Sequence, residues 1–443
     1  MNLINKIKNL KDDRKKIISN LFWAMLGKVV NMTGTLFVGI LVARYLGPEQ
    51  YGLMNYVISY VALFSIISSF GLDFIEIREL AKFPEKKELI LGTCLRLRFI
   101  FTSIAYFLVV LTLILHKADR YTSIMIMAYS LTLYAENFNL IRNYFISIVK
   151  NEYVVKSEIS RTIIGAIIKI CLLICKAPLT YFIIAAMLDT FLVSSGYYIA
   201  YKKIVGNISN WRYEKKIVGF YIKEAFPLVL SGAAVVIYQK IDQVMIGNMI
   251  NNASVGYFST AGKFVDIILF IPMILTNTIS PLLIKLQVKD KTAYEKKKRQ
   301  FVNLVVWSSI ILSCIVAAFA YPLILFTFGK EYAPAIPVLQ IMAFKTVGMA
   351  LSSSSGQIII MEGTQKWAFI RNIIGCFICI ILNYLLIPYY GIIGSAWVTI
   401  ITVAFTGCFA NIFIPPYYPI MKIQLNALIK GWKDLIYIKQ ILK

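Results

Sequence analysis

Histidine is almost absent from this chain. The only one, His116, ends an apolar run, so metal centres and acid–base sites built on imidazole are excluded. Cysteine is sparse as well. There are seven, six of them inside apolar runs, with Cys94 at the edge of one. Cys376 and Cys379 have a ligand-like spacing but no second pair to complete a site, so they are expected to be small buried hydrophobes. Charge is low at 15%, against about 25% in an average soluble domain. Acids are scarcer still, with 22 Asp and Glu against 46 Lys and Arg. A cleavable leader is not expected. The first apolar run is too long for a signal-peptide core and lacks an A-x-A-like exit, which makes it a retained helix.

What the chain has in quantity is apolar sequence. Hydrophobic residues make up 59% and the mean hydropathy is +0.72. The excess lies in runs long enough to cross a hydrocarbon core of roughly 30 Å as helices. In lipid, unpaired backbone groups permit only helices or closed barrels, and the runs lack the period-2 alternation of barrel strands. The expected fold is therefore an all-α polytopic membrane protein with twelve transmembrane helices. These are placed near 20–43, 51–73, 99–115, 121–147, 159–175, 178–201, 220–247, 255–284, 301–328, 336–361, 366–388 and 391–414. Pro227, Pro272 and Pro281 are expected to kink their helices. Residues 1–19 form a basic amphipathic segment, and 422–443 a second interfacial helix with Leu425, Leu428, Ile429 and Trp432 on its apolar side.

Counting Lys and Arg along this scheme places 33 on the side of the N-terminus and 5 on the other. Such an asymmetry marks the cytoplasmic side, so both termini are expected there. It also accounts for the net charge of +24. Nucleic acid is excluded as a partner because no basic stretch sits on a foldable soluble domain.

A shift of 204 residues lays the first six helices on the last six. Only a few identities survive, among them Gly52 with Gly256, so the repeat rests on hydropathy and loop position. An even number of helices per half makes the repeats parallel, an arrangement that holds substrate between the halves. The expected lobes are 20–205 (helices 1–6) and 206–421 (helices 7–12).

Thirteen charged residues lie three or more residues inside the span ends, eight basic and five acidic. Each charge at mid-membrane costs about 2.5–3.5 kcal/mol on insertion scales and needs water or a partner. Lys28, Lys223 and Arg371 lie near helix ends, from which they could snorkel to the interface. The helical faces group the rest. Lys28, Asn31 and Thr35 align on helix 1; Glu136, Asn139 and Asn143 on helix 4; Arg161, Gly165 and Lys169 on helix 5. Gln239, Asp242, Gln243 and Ile246 share a face of helix 7, with Lys240 turned away. Ser259, Lys263, Asp266 and Asn277 align on helix 8. A wet, mostly cationic chamber between the lobes follows. Its headgroup-binding candidates are Lys28, Arg142, Lys169, Lys240, Lys263 and Lys345. Asn31, Thr35, Asn139, Gln239, Gln243, Ser259 and Asn277 are its polar lining. Glu136, Asp189, Asp242 and Asp266 are left for charge balance or ion coupling. The competing structural reading pairs the charges off, for instance Lys263 with Asp266. Bases exceed acids, so that reading leaves cations over. An anionic cargo such as a diphosphate headgroup suits the excess. No cofactor is expected beyond a coupling ion, H+ or Na+. A membrane enzyme would need a sizeable outer loop with paired acids, which is missing. A scaffold would have no reason to bury charge.

The stretch Arg44-Tyr45-Leu46-Gly47-Pro48-Glu49-Gln50-Tyr51-Gly52, with Ser69-Phe70-Gly71-Leu72-Asp73 at the end of helix 2 and the basic N-terminal segment, resembles the polysaccharide (O-antigen type) flippases. These belong to the superfamily of multidrug and toxin extrusion (MATE) transporters. The resemblance implies two six-helix lobes in a MATE-like V, and alternating access by rocking. It also implies a polyprenyl-diphosphate oligosaccharide as cargo, and a bacterial cytoplasmic membrane as location. Membrane lipids, a polysaccharide polymerase and chain-length machinery become candidate partners. Carried over by position, the chamber basics are Lys28, Lys240 and Lys263. The peptidoglycan-precursor branch places an Arg-Asp pair in helix 1, where this chain has Val38-Gly39. The competing transporter class, an ion-coupled multidrug exporter, needs an acid-rich cavity.

Overall fold

Apolar sequence without strand periodicity gives helix throughout. The computed structural model describes the backbone of residues 2–116 and 119–435, with side chains from Trp23 onward apart from those of Ala24, His116, Lys366, Asp434 and Leu435, and contains no strand among the described residues. The apolar face of residues 1–19, the side chain of His116 and the tail beyond Leu435 lie outside the described residues.

The first helix, α1 (Asn2–Ser69), runs on for 68 residues. At 1.5 Å per residue that is about 100 Å, more than three times a hydrocarbon core. It folds back at Gly47, whose φ of 69° and ψ of 171° lie outside the helical region. A positive φ suits glycine because it has no Cβ. Pro48 then restarts the helix at a position where its missing N–H costs nothing. Phe70 and Gly71, both at positive φ, separate α1 from α2 (Leu72–Lys82). The chain continues through α3 (Lys87–His116), α4 (Arg120–Ser130), α5 (Thr132–Glu136), α6 (Asn139–Ser147), α7 (Asn151–Ile174), α8 (Leu179–Ile204) and α9 (Lys215–Met249). After these come α10 (Asn252–Ile268), α11 (Phe270–Lys289), α12 (Lys291–Ala318), α13 (Ala320–Thr327), α14 (Ala335–Met342) and α15 (Lys345–Met361). The last long helix is α16 (Ala368–Gly407), followed by α17 (Tyr418–Lys430) and α18 (Trp432–Leu435). Helix α16 bends at Gly391, where φ is 56°.

Eight of these segments are long and apolar enough to cross a membrane among the described residues. Two of them, Met25–Lys82 and Ala368–Ile412, contain the bends at Gly47 and Gly391. The expected helices 4 and 5 fall outside the eight. The first is broken into α4, α5 and α6, and the second, α7, carries Lys156, Glu158, Arg161 and Lys169.

The chain divides into two compact units. The first holds residues 1–45 and 60–233, and the second holds 46–59 and 234–443. In the first unit the core gathers Leu72, Ile75, Leu91, Phe145 and Tyr201 from α2, α3, α6 and α8. Helices α7 and α8 approach closely, with Gly165 against Asp189 and Gly196 against Ser157. Small residues at such crossings let helices pack where lipid offers no hydrophobic drive. In the second unit the core is built from Leu283, Phe301, Val302, Val305 and Ile358, closed by Tyr417.

The signature stretch finds its structural reason in the second unit. Residues 46–59 lie against the start of α10, and the Glu49 carboxylate accepts from the Ala253 N–H at 3.0 Å, a contact between residues 204 apart. It caps the exposed amides and meets the positive end of that helix. Glu49→Ala should cost about 1 kcal/mol, the worth of a typical N-terminal cap, read as a lower thermal midpoint in detergent. Gly52 and Gly256 pack backbone to backbone beside it. The Tyr51 ring is buried edge-on to Tyr332 at 6.3 Å.

Helix α12 opens on Asp290, whose carboxylate accepts from the Thr292 hydroxyl and from the N–H groups of Thr292 and Ala293. Those bonds hold its carboxyl below the usual range. The cap is complete above the ordinary Asp range and is lost as pH falls through the lowered value. In the C-terminal segment Ile420, Ile423, Gln424 and Ala427 are buried, Leu425 and Leu428 pack partly buried against the core, and Ile429 and Trp432 are exposed. Gln424 anchors the helix. Its amide donates to the Leu351 and Gly407 carbonyls at 2.8 and 2.9 Å, seating α17 in the core of the second unit.

Candidate substrate and coupling sites

The intramembrane charges sort into three kinds of environment. In the first unit most of them are paired. Lys169 on α7 forms an ion pair with Asp189 on α8. Arg142 on α6 lies 3.8 Å from Glu158 on α7. Glu158 also accepts from Asn31 Nδ2 at 3.2 Å and from the Tyr197 hydroxyl at 3.3 Å. Asn31 Oδ1 accepts from Arg161 and Thr162, and the exposed Thr35 donates to the Asn31 carbonyl. Lys169 and Arg142 thus each have a carboxylate beside them. Lys28 is exposed and carries no ion pair among the described residues. Asn139 opens α6, half-buried.

Deeper in the first unit sits a network that sequence reasoning did not single out. Arg98 on α3, 2% exposed, donates to both Glu76 oxygens at 2.7 and 2.8 Å and to Asp73 at 2.8 Å. Asn143 on α6 donates to the same two carboxylates at 2.8 and 2.7 Å. Asp73 and Arg98 lie at or beyond the ends of the expected spans, so the sequence gives no sign that they meet around the buried Glu76. Glu136, at the end of α5, makes no hydrogen bond or ion pair among the described residues. It lies within electrostatic range of Asp73 and Arg98.

The second unit holds the unpaired cations. Lys240 on α9 lies in the field of Lys263 and Asp266 on α10 and of Lys345 at the start of α15. None of the three lysines has a carboxylate within ion-pair distance among the described residues, so the expected Lys263–Asp266 pair is not formed. Three partly buried ammonium groups thus converge with one exposed acid. Such a cluster repels itself unless water or an anion sits in it.

Beside it lies the third environment. Asp242, 3% exposed, accepts from Asn383 Nδ2 at 2.6 Å, from the Thr399 hydroxyl at 2.8 Å and from Cys379 Sγ at 3.4 Å. Ser395 in turn donates to Asn383 Oδ1 at 2.8 Å. All three partners of Asp242, and Ser395 behind them, come from α16. A buried carboxylate held by neutral donors is costly unless it takes up a proton or a cation. Cys379 is therefore a polar partner of Asp242 as well as a buried small residue.

Several expected faces rearrange. On α9, Asp242 and Ile246 turn into the core of the second unit, Gln243 accepts from Ser59, and Gln239 is exposed. Lys240 is the residue of that helix that joins the cation cluster. The residues of the expected helix 8 face differ in burial. Ser259 is 4% exposed with its hydroxyl unpartnered, so it does not line a wet surface, whereas Asn277 on α11 is exposed.

A family model described as polysaccharide biosynthesis protein matches residues 17–287, more than half of the chain. The chain belongs to the polysaccharide biosynthesis protein family. It is 29% identical over 196 residues to the capsular polysaccharide biosynthesis protein CapF of Staphylococcus aureus. That match covers 42% of this chain and spans about half, 47%, of CapF. Among solved structures, the lipid II flippase MurJ in an inward closed conformation superposes with a TM-score of 0.68 at 17% identity. The superposition covers 95% of this chain and 93% of that one. An inward-facing multidrug resistance MATE family transporter of the MOP superfamily gives 0.63 at 13% identity, covering 94% and 98%. At these identities the likeness is one of fold. This member of the polysaccharide biosynthesis protein family is thus a helical, multi-pass membrane protein with the fold of MOP-superfamily transporters.

Proposed function

We propose that this family member is a transporter, not an enzyme. It flips polyprenyl-diphosphate-linked oligosaccharide repeat units from the cytoplasmic to the outer leaflet of a bacterial cytoplasmic membrane, by alternating access. The product would feed O-antigen, capsule or exopolysaccharide assembly, with a polymerase and chain-length machinery as downstream partners. The chain would make twelve crossings with both termini cytoplasmic, as the lysine and arginine asymmetry requires.

The observation that carries the reading is the unpaired triad Lys240, Lys263 and Lys345. Three ammonium groups with no carboxylate at ion-pair distance among the described residues leave an excess of positive charge that suits a diphosphate and opposes a lipophilic cation. Asp242 is the coupling candidate. A proton or Na+ bound there would set the packing of α9 against α16, so that uptake of the ion biases one conformation over another.

The reading is tested in a deletion strain scored for lipid-linked repeat units trapped at the cytoplasmic face. Complementation with Lys240→Ala or Lys263→Ala should lower surface glycan at least about tenfold, the worth of one charged contact, with membrane insertion unchanged. Normal export by both single variants and by the double variant would sink the triad. Loss of drug resistance with normal glycan would favour the multidrug exporter. Asp242→Asn keeps the shape of the α16 contacts and removes the exchangeable charge. In proteoliposomes it should abolish the stimulation of flipping by an imposed H+ or Na+ gradient. Unchanged gradient dependence would remove Asp242 from coupling.

A further inference from the structure

The sequence left Arg371 free to snorkel to the membrane surface, and the structure does the opposite. Arg371 lies in the first turn of α16 and is only 6% exposed. Its Nη1 donates to Ser355 Oγ at 3.1 Å, and its Nε is buried with no partner. No carboxylate pairs with it among the described residues. A guanidinium carries five donors and does not lose its proton in proteins. Buried beside one hydroxyl, it is a cation in want of an anion.

The space for one is present. Arg371 lines a cavity of about 400 Å3 whose other walls include Trp367, Ile374, Phe413 and Pro415. Among the described residues, Arg371 is the only charged group in that lining. The surrounding surface is apolar and aromatic, with Phe413 69%, Ile412 49% and Phe409 47% exposed. In a membrane protein such a surface faces acyl chains and headgroups.

We infer that this pocket binds the phosphodiester of an anionic glycerophospholipid, held by the free edge of the Arg371 guanidinium, with an acyl chain against Trp367 and Phe413. One guanidinium matches the single charge of a phosphodiester better than a diphosphate. The apolar rim admits a lipid in preference to a water-soluble anion. The site is separate from the lysine triad, and the inference does not depend on the transport reading.

The test is native mass spectrometry of the full chain in neutral detergent, titrated in turn with phosphatidylglycerol, phosphatidylcholine, undecaprenyl phosphate and inorganic phosphate. Phosphatidylglycerol should be retained in preference to the other three. Arg371→Met should weaken that retention about tenfold, the loss of a charge-assisted contact. In lipid-free detergent the thermal midpoint of the same variant should not fall below that of the parent, because an uncompensated charge has been removed. A purely structural arginine would lower the midpoint and leave lipid retention alone, which would overturn the proposal. So would equal retention of phosphatidylcholine, tighter Arg371-dependent binding of undecaprenyl phosphate, or equal protection by inorganic phosphate. If Arg371→Met does not fold, Phe413→Ala decides, since it alters only an exposed wall. It should weaken phosphatidylglycerol retention several-fold, and parent-like retention would overturn the acyl-chain contact.

Discussion

Arg98→Met should destabilise the protein by about 3–5 kcal/mol, the usual cost of removing one partner from a buried ion pair. The reason lies in what remains. Glu76 is fully buried and takes two of its three hydrogen bonds from Arg98; Asn143 supplies the third. Asp73 has a half-exposed side chain and can recruit water, so the loss is concentrated on Glu76. The double variant Arg98→Met with Glu76→Met removes both charges and should recover most of the loss, because a well-packed apolar pair often matches a buried ion pair. Chemical denaturation in detergent separates the two. A single variant within about 1 kcal/mol of the parent, or a double variant no better than the single, would show that Glu76 finds its compensation elsewhere. The network ties α2, α3 and α6 of the first unit together, so its loss should also raise proteolysis near the α2–α3 connection.

How much of this was legible beforehand depends on the kind of signal. Long apolar runs and the Lys and Arg asymmetry are properties of whole segments, and they announced a polytopic helical protein. Resemblance through Gly47-Pro48-Glu49 pointed to the right family. Charge pairing is a property of contacts between helices, and it was not legible. Lys169 and Lys263 have similar settings in sequence, each an intramembrane lysine with an acid within reach. One is bonded to Asp189 and the other has no ion-pair partner, because only the packing of α7 on α8 brings that acid to its lysine. Helical periodicity also says which residues share a face, but not what that face packs against. Of the expected helix 8 face, Ser259 is buried and Asn277 is exposed. The tail shows a third limit. Leu425 and Leu428 read as part of an interfacial apolar side, and they do pack, partly buried, against the core of the second unit. Hydropathy did not show that Gln424 is fully buried beside them, because its two carbonyl partners come from distant helices.

Gly52→Ala should cost about 3 kcal/mol or more, toward the upper end of what overpacking produces. The argument rests on what the new methyl group would meet. A Cβ on Gly52 would stand 1.7 Å from the Asn252 carbonyl oxygen and 2.8 Å from the Gly256 nitrogen. A Cβ on Gly256 would stand 2.3 Å from the Pro48 carbonyl oxygen. These neighbours are backbone on both sides, so no rotamer change relieves the clash and the two segments must part. Parting them also breaks the Glu49 cap on α10, which lies in the same contact. The two glycines are 204 residues apart in sequence and occupy equivalent places in the proposed repeat, so the clash is reciprocal. Gly256→Ala should therefore match Gly52→Ala in size, and the double variant should cost less than the sum because one separation accommodates both. Gly262, on the same helix as Gly256, has nothing within 4 Å of its would-be Cβ. Gly262→Ala should instead gain about 0.5–1 kcal/mol from helix propensity. Thermal midpoints of the four variants in detergent give the ordering directly. If Gly52→Ala and Gly262→Ala proved equally mild, the backbone-to-backbone approach would not exist in the folded protein.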